Sequence, residues 1–142
     1  SDWKLLFSTQ QHGYSLQTLY SRCKRQGPVV VLGMTTEGNI FGAFASQGLG
    51  VKVGSYTGSG ESFVMNVYPE FRAWRWTHAN SMFYVCRPEF LGFGGGARRG
   101  FAVRLDASLE GGTSARSATY DNDVLACEQA FKIVTVEVWK FA

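Results

Sequence analysis

The sequence predicts a mainly β protein with minor α content, built as a two-sheet antiparallel β-sandwich flanked by short helices. Three observations indicate this class. Aromatic residues make up 15% of the chain, and strand formers dominate over Ala, Glu and Lys. Several short segments carry the alternation of a half-buried strand. One segment alone has clear helical spacing, so strands should far outnumber helices and pack as two layers.

The first predicted elements are a short apolar run at 3–7, a polar turn at 8–13 and a helix. Ser15 is the expected N-cap of that helix. The residues that follow at i, i+3, i+4 and i+7 form one apolar stripe, which predicts that this face packs on the core: Leu16, Leu19, Tyr20 and Cys23. Gly27 and Pro28 end the helix.

The remaining segments predict strands joined by loops. Two apolar runs at 29–34 and 40–45, separated by turn residues, predict a hairpin. Further strands are expected at 63–67, 71–76, 82–86, 101–105 and 131–141, the last in near-strict alternation. A glycine-rich loop is predicted at 47–60, a polar turn-rich segment at 106–122 and a short helix at 124–129.

A run of three glycines marks the stretch that we expect to organise the fold. Gly94, Gly95 and Gly96 lie between an aromatic run at 90–93 and the strand at 101–105. Glycine reaches positive φ without a steric penalty. The loop is therefore predicted to turn sharply or to pass close to another backbone.

Two glycine loops are candidate anion sites. Arg98 and Arg99 follow the three glycines and, with the loop N–H groups, could bind an acidic group. We favour a tight turn with two solvated arginines. The segment Gly-Ser-Gly-Glu-Ser at 58–62 lacks the spacing of a phosphate-binding loop and precedes a strand rather than a helix.

Composition and charge exclude several classes of function. A net charge of +3, without clustered Lys and Arg, argues against a nucleic-acid partner. Three cysteines without Cys-x-x-Cys spacing and two isolated histidines predict no metal site and no cofactor. Cys23 and Cys86 end apolar stripes and should be buried and unreactive. With no membrane segment and no signal peptide, we expect one intracellular domain over residues 1–142, excised from a longer protein.

Glu61 is the acid that stands out, because it lies between a glycine loop and a strand. There its carboxylate would accept backbone N–H groups and lock the loop, which we favour over acid or base catalysis. The alternative is a hydrolase-type enzyme that pairs Glu61 with a second carboxylate, Asp106 or Asp121, in one cleft. No nucleophile elbow of the Gly-x-Ser-x-Gly type stands between a strand and a helix.

A third alternative is a phosphoinositide-binding or sugar-binding module. Arg98 and Arg99 would bind the headgroup, and Trp74, Trp76 and Trp139 would line a sugar-binding face. Alternation along the strands predicts instead that these tryptophans belong mostly to the core.

Six motifs resemble those of the TLDc domain in order and spacing. They are Trp-Lys-Leu-Leu-Phe-Ser-Thr at 3–9, His-Gly-Tyr-Ser-Leu-Gln-Thr-Leu-Tyr at 12–20, Phe-Gly-Ala-Phe-Ala-Ser at 41–46, Gly-Ser-Gly-Glu-Ser-Phe at 58–63, Phe-Gly-Gly-Gly at 93–96 and Val-Glu-Val-Trp at 136–139. Each motif alone is weak. Six in order, over nearly all of 3–141, are specific.

The resemblance implies a β-sandwich and a non-enzymatic interaction domain. TLDc proteins, including the oxidation-resistance proteins, protect cells from oxidative stress, and several bind the vacuolar proton pump (V-ATPase) and regulate its assembly. Others join the domain to a Rab-GAP or LysM module. We therefore expect V-ATPase subunits as partners in oxidative-stress protection or vesicle trafficking. The domain would act in the cytoplasm and reach vacuolar, lysosomal or vesicle membranes only through its partner. The partner-binding candidates are Glu61, Gly94, Gly95, Gly96, Arg98 and Arg99.

Some positions depart from the family pattern. Many relatives resemble a Gly-Arg-Ser-His-Ser-Cys motif where this chain has Ala115 and Ser117 in place of His and Cys. The resemblance therefore does not imply a thiol reaction at this position. Arg98 and Arg99 stand where further glycine is common, which makes this loop more basic, and the loop after Ser46 is short.

Overall fold

The computed structural model describes residues 2–96 and 100–141. Within these residues the chain forms two helices, α1 (Thr9–His12) and α2 (Leu16–Cys23), and ten strands. The strands are β1 (Trp3–Ser8), β2 (Val29–Thr35), β3 (Ile40–Ala45), β4 (Phe63–Tyr68), β5 (Arg72–Arg75), β6 (Tyr84–Cys86), β7 (Phe90–Phe93), β8 (Val103–Asp106), β9 (Gly111–Thr113) and β10 (Ala130–Phe141). The predicted class, mainly β with minor α, is confirmed.

The described strands form one antiparallel path in the order β5-β4-β3-β2-β10-β9-β8-β7-β6, and β1 pairs with β10. Residues 130–132 of β10 pair with β9, whereas residues 133–139 pair with β2. β10 thus joins two halves. We call β1 to β5 with the second part of β10 sheet I, and β6 to β9 with the first part sheet II. The path ends at β5 and β6 and does not close into a barrel.

Sheets I and II share one core. A single cluster of buried apolar side chains draws on both sheets, among them Phe41 and Val64 from sheet I and Leu91, Phe93 and Leu105 from sheet II. Two sheet faces that bury their apolar side chains against each other are the two layers of a sandwich. The strands of both sheets therefore pack on one common core.

Strand β10 carries an irregularity that decides which of its side chains face this core. Its register against β2 shifts between Ile133 and Thr135. A bulge of this kind moves the residues after it to the opposite face. Val136 and Val138 are therefore buried, and Trp139 lies half-buried on the outer face of sheet I. The tryptophans were predicted to belong mostly to the core; Trp74 and Trp76 pack there, and Trp139 is the exception for this reason.

Helix α2 begins as predicted at the Ser15 cap, but it ends at Cys23 and not at Gly27, because the chain leaves the helical conformation at Lys24 and Arg25 has a φ of +62°. The Ser15 hydroxyl accepts a hydrogen bond from the Thr18 N–H at 3.2 Å, which satisfies one of the unpaired N–H groups at the helix start. All four residues of the predicted stripe are buried: Leu16, Leu19, Tyr20 and Cys23. The Arg22 side chain donates to the Leu6 carbonyl at 2.7 Å, which ties the helix to β1.

Four short segments differ from the sequence-based expectation. Residues 90–93, expected only as an aromatic run before the glycine loop, form β7. Residues 9–12, expected within a polar turn, form α1 with Ser8 as its N-cap. Gly111–Thr113, expected to be turn-rich, form β9. The helix expected at 124–129 was wrong, because these residues form bends. The N–H groups of Leu125 and Cys127 donate to side-chain oxygens of Ser114 and Asn39 instead of to helical carbonyls.

Candidate functional site

The first predicted site lies in the loop at 57–62, just before β4. Gly58 has a φ of +102°, and a Cβ there would stand 2.6 Å from the ring of Tyr84. A Cβ on Gly60 would stand 2.3 Å from the indole of Trp76. Neither position has room for a side chain, so glycine is required at both. The loop lies directly on two aromatic rings.

Three serine hydroxyls hold this loop in place. The backbone N–H and the hydroxyl of Ser59 both donate to Ser46 Oγ, each at 2.9 Å. Ser46 Oγ also lies 2.9 Å from Ser62 Oγ. Because Ser46 accepts twice, its own proton is left to donate to Ser62. This serine cluster ties the end of β3 to the start of β4.

Glu61 stands exposed at the tip of this loop. Its backbone N–H donates to Ser59 Oγ at 3.4 Å. Among the described residues its carboxylate accepts no hydrogen bond and forms no ion pair. The expectation that this carboxylate locks the loop is therefore corrected, since the serine hydroxyls do so. Within residues 2–96 and 100–141, no group competes with another molecule for this carboxylate.

The three glycines at 94–96 form the second predicted site. Of the two predicted alternatives the close pass by another backbone is observed, because the Ala118 N–H donates to the Gly95 carbonyl at 2.9 Å. Gly94 and Gly96 each have a φ of +78°. The Gly94 N–H donates to the Phe83 carbonyl at 3.0 Å, and the Gly95 N–H donates to Thr119 Oγ1 at 3.0 Å. Because both N–H groups are used inside the protein, neither is available to an anion.

Exposure differs among the residues of this second site. Gly94 and Gly95 are buried, whereas Gly96 is exposed. Direct contact with a partner is therefore open to Gly96, and the two buried glycines shape the loop that presents it. Arg98 and Arg99 lie outside the described residues.

The two glycine loops meet at the start of β6. Backbone groups of Thr57 and Tyr84 exchange two hydrogen bonds of 2.8 and 3.2 Å, and the preceding residue, Phe83, accepts from the second loop. The Tyr56 hydroxyl reaches the second loop and lies 3.1 Å from the place that a Cβ on Gly95 would take. We call the exposed part of this junction the glycine-loop surface, formed by Tyr56, Gly60, Glu61 and Gly96.

Tyr84 anchors the long loop that leads to this surface. Its ring is fully buried, and its hydroxyl donates to the Gly48 carbonyl at 2.6 Å and accepts from the Gln47 N–H at 3.1 Å. Burial is the main cause that raises the pKa of Tyr84 to about 12. Sequence analysis missed this role, because the tyrosine contacts a loop far away along the chain.

The position where relatives are expected to carry a cysteine lies beneath the second loop. Ser117 is buried, its hydroxyl donates to Asn122 Oδ1 at 2.8 Å and it accepts from the Tyr120 N–H at 3.2 Å. A Cβ on Gly94 would stand 2.8 Å from Ser117 Oγ. Ser117 therefore supports the glycine loop from inside the protein.

The carboxylates of the enzyme alternative have other partners. Asp106 Oδ1 lies 2.6 Å from Arg104 Nη1, and Asp121 Oδ1 lies 2.9 Å from Arg116 Nε. The described contacts thus join each aspartate to an arginine and neither of them to Glu61.

The three tryptophans of the sugar-binding alternative occupy different environments. Trp74 is buried, with the Arg72 guanidinium 5.0 Å from its ring centre. Trp76 stacks on His78 with the ring centres 3.8 Å apart. Trp139 lies on the outer face of sheet I. They share no common face on which a sugar could stack.

The cysteines differ in exposure. Cys23 and Cys86 are buried, as predicted, and burial raises the pKa of the Cys23 thiol to about 12 and that of Cys86 to about 11. Cys127 is exposed, with Sγ 2.9 Å from Asn39 Oδ1. Of the three thiols, Cys127 is the accessible one.

Within residues 2–96 and 100–141, no group of three or more His, Cys, Asp or Glu side chains is placed to hold a metal ion. Neither helix in that part of the chain has the length and apolar character needed to cross a membrane.

Replacing Tyr84 by Phe should loosen the loop at 47–58. The substitution leaves the Gln47 N–H and the Gly48 carbonyl without their partner, so we expect the free energy of unfolding to fall by about 1–2 kcal/mol. Urea denaturation measures this loss, and amide hydrogen exchange should be faster in the loop. Tyr68→Phe, at an exposed ring, is the control. Equal effects of the two substitutions would contradict the anchoring role.

The thiols should react selectively with iodoacetamide. At about pH 8 the buried pair remains protonated, because the raised pKa values of Cys23 and Cys86 lie well above that pH. We expect mass spectrometry of the folded chain to find alkylation at Cys127 alone, and Cys127→Ser to abolish it. At about pH 10 the buried pair should still be mostly protonated and should label slowly. Fast labelling of Cys23 in the native chain would show that the helix α2 contact is open.

Comparison with known proteins identifies the family to which the chain is similar. Residues 1–142 match the family model described as the TLDc domain. Over 140 residues, or 98% of this chain, the sequence is 39% identical to oxidation resistance protein 1 of Bos taurus and of Homo sapiens. Over the same share it is 36% identical to nuclear receptor coactivator 7 of Gallus gallus.

The matched region covers only 16% of the two oxidation resistance proteins and 15% of the coactivator. The chain therefore corresponds to a small part of these relatives. Because the family model matches the whole sequence and the β-rich fold agrees with it, the chain belongs to the TLDc domain family.

Proposed function

We propose that this TLDc domain is a non-enzymatic protein-interaction domain of the oxidation-resistance type, which binds and regulates the V-ATPase. The observation that carries the proposal is the glycine-loop surface. It presents the Glu61 carboxylate from a backbone fixed by the serine cluster and by two aromatic rings. The role would lie in oxidative-stress protection or vesicle trafficking.

Rigidity of the surface supports binding. A loop that is already ordered loses little conformational entropy when a partner docks, so more of the contact energy appears as affinity. The N–H groups of Ser59 and Gly95 are already bonded to Ser46 and Thr119. Exposed groups at the tip, above all Glu61, are therefore the ones that a partner would contact.

The charge at the tip indicates the kind of partner surface. Glu61 carries a carboxylate without a described cation, so a basic patch on a pump subunit would complement it. Arg98 and Arg99 follow the second loop in sequence and remain predicted contacts to an acidic part of the same subunit. A domain of this kind would reach a membrane through the pump.

The link to oxidative stress comes from the relatives, two of which are named oxidation resistance protein 1. In this chain position 117 carries a buried serine, so no thiol stands there to react. We therefore place the protective effect in the interaction with the pump and not in chemistry carried out by this domain.

Charge reversal at Glu61 tests the proposal. The chain is immobilised, purified V-ATPase is passed over it, and binding is followed by biolayer interferometry. We expect the wild-type chain to bind and Glu61→Lys to bind about tenfold more weakly, because like charges would then face each other.

Glu128→Lys is the matched control, since it makes the same charge change at another exposed position. It should leave the affinity unchanged. Absence of pump binding by the wild-type chain, or equal losses for the two variants, would contradict the proposal. Circular dichroism of each variant confirms that the fold is retained.

A further inference from the structure

The outer face of sheet I is apolar. Along β2, Val29 and Val31 are buried in the core, whereas Val30 and Leu32 alternate with them and point outward. The same alternation on β4 buries Val64 and turns its neighbours outward. A sheet that packs one face on the core usually carries polar residues on the other. In sheet I the outer face also carries mainly apolar side chains.

This face contains a groove of about 650 Å³. Trp3 and Trp139 lie at one side and Phe71 at the other, with Val30 and Met65 between them. Trp3 and Phe71 are 57% and 67% exposed. Large exposed aromatic side chains around an apolar floor are typical of a binding groove.

A glycine deepens the floor of this groove. Gly42 on β3 pairs with Leu32 on one side and Met65 on the other. A Cβ at this position would stand 2.6 Å from the end of the Met65 side chain and 3.0 Å from Leu32. The missing side chain lets these two neighbours lie low across β3.

Glu137 is the one charged residue that lines the groove in the described part of the chain. Its Oε1 accepts a hydrogen bond from the Trp139 indole at 2.9 Å, and no described Lys or Arg lies within ion-pair distance. A carboxylate that becomes covered by apolar groups without a cation is costly. A partner that brings a positive charge to Glu137 would offset this cost best.

The width of the groove indicates the shape of the occupant. From β10 across β2 and β3 to β4 there are three strand spacings, about 14 Å in total. An α-helix with its side chains is about 10–12 Å wide. One helix fits between the tryptophan side and Phe71.

We propose that this groove binds the apolar face of an amphipathic α-helix from a partner protein, with a Lys or Arg of that helix paired to Glu137. The inference rests on the proposed function as an interaction domain and adds a second contact surface to it. A second copy of the chain fits less well, because its groove would add another carboxylate and no cation. An anionic lipid surface would meet the same negative charge.

The test uses two designed helical peptides that differ at one position. Both carry leucines at i, i+3, i+4 and i+7, which form one apolar face. At one position beside this face, halfway along the peptide, one peptide has Lys and the other has Glu. Binding to the 142-residue chain is measured by isothermal titration calorimetry. We expect saturable binding, with the Lys peptide about tenfold tighter than the Glu peptide.

Variants of the chain locate the binding site. Val67→Asp places a charge in the groove and should weaken the Lys peptide about tenfold or more. Val53→Asp makes the same change at a valine that is 81% exposed outside the groove and should have no effect. Glu137→Gln keeps an acceptor for the Trp139 indole and removes the charge, so it should bind the two peptides equally.

Several results would overturn the inference. These are no binding of either peptide, equal binding of both by the wild-type chain, or equal losses for Val67→Asp and Val53→Asp. Sedimentation that shows a dimer which Val67→Asp dissociates would assign the groove to a second copy. Binding of phosphatidylserine vesicles through the groove would assign it to a membrane.

This test is independent of the pump assay. Loss of V-ATPase binding in Glu61→Lys is measured at the glycine-loop surface, and peptide binding is measured at the groove. Pump binding without peptide binding would remove the groove inference alone. Peptide binding without pump binding would remove the proposed pump partner and leave the groove as a docking site.

Discussion

Strand β10 hydrogen-bonds to both sheets, and the bulge within it decides what each sheet presents. Its first residues pair with β9 and its later ones with β2 and β1. Since the register shifts after Ile133, Val136 and Val138 enter the core while Glu137 and Trp139 turn outward. The shared core and the apolar outer groove therefore depend on the same backbone irregularity.

Aromatic side chains of the core hold the loops in place. Tyr84 supports Gly58 with its ring and the long loop with its hydroxyl, and Trp76 supports Gly60. The residue before Tyr84 holds the second glycine loop through its carbonyl. Because these supports belong to the core, the exposed Glu61 stands on a rigid base, which is what a docking surface needs.

Sequence periodicity predicted the elements whose signal is local. The start and the buried stripe of α2 and the bounds of β3 follow from apolar spacing and capping, and they were confirmed. The end of α2 was not, because the helix stops at Cys23, ahead of the predicted stop at Gly27. The strand at Gly111–Thr113 could not be predicted, because two glycines carry no pattern and their conformation is set by pairing with β8 and β10. In the same way, Glu61 and the glycine runs could be singled out one by one. The meeting of the two glycine loops at the start of β6, and the role of Tyr56, depend on contacts distant in sequence.

Site-specific photo-crosslinking to the V-ATPase tests the central claim most directly. A benzophenone amino acid is placed at position 61 in one variant and at position 128 in another, and the products formed with purified pump are identified by mass spectrometry. The account predicts crosslinks to a pump subunit from position 61 and none from position 128. A complex that crosslinks from position 128 but not from position 61 would contradict docking through the glycine-loop surface.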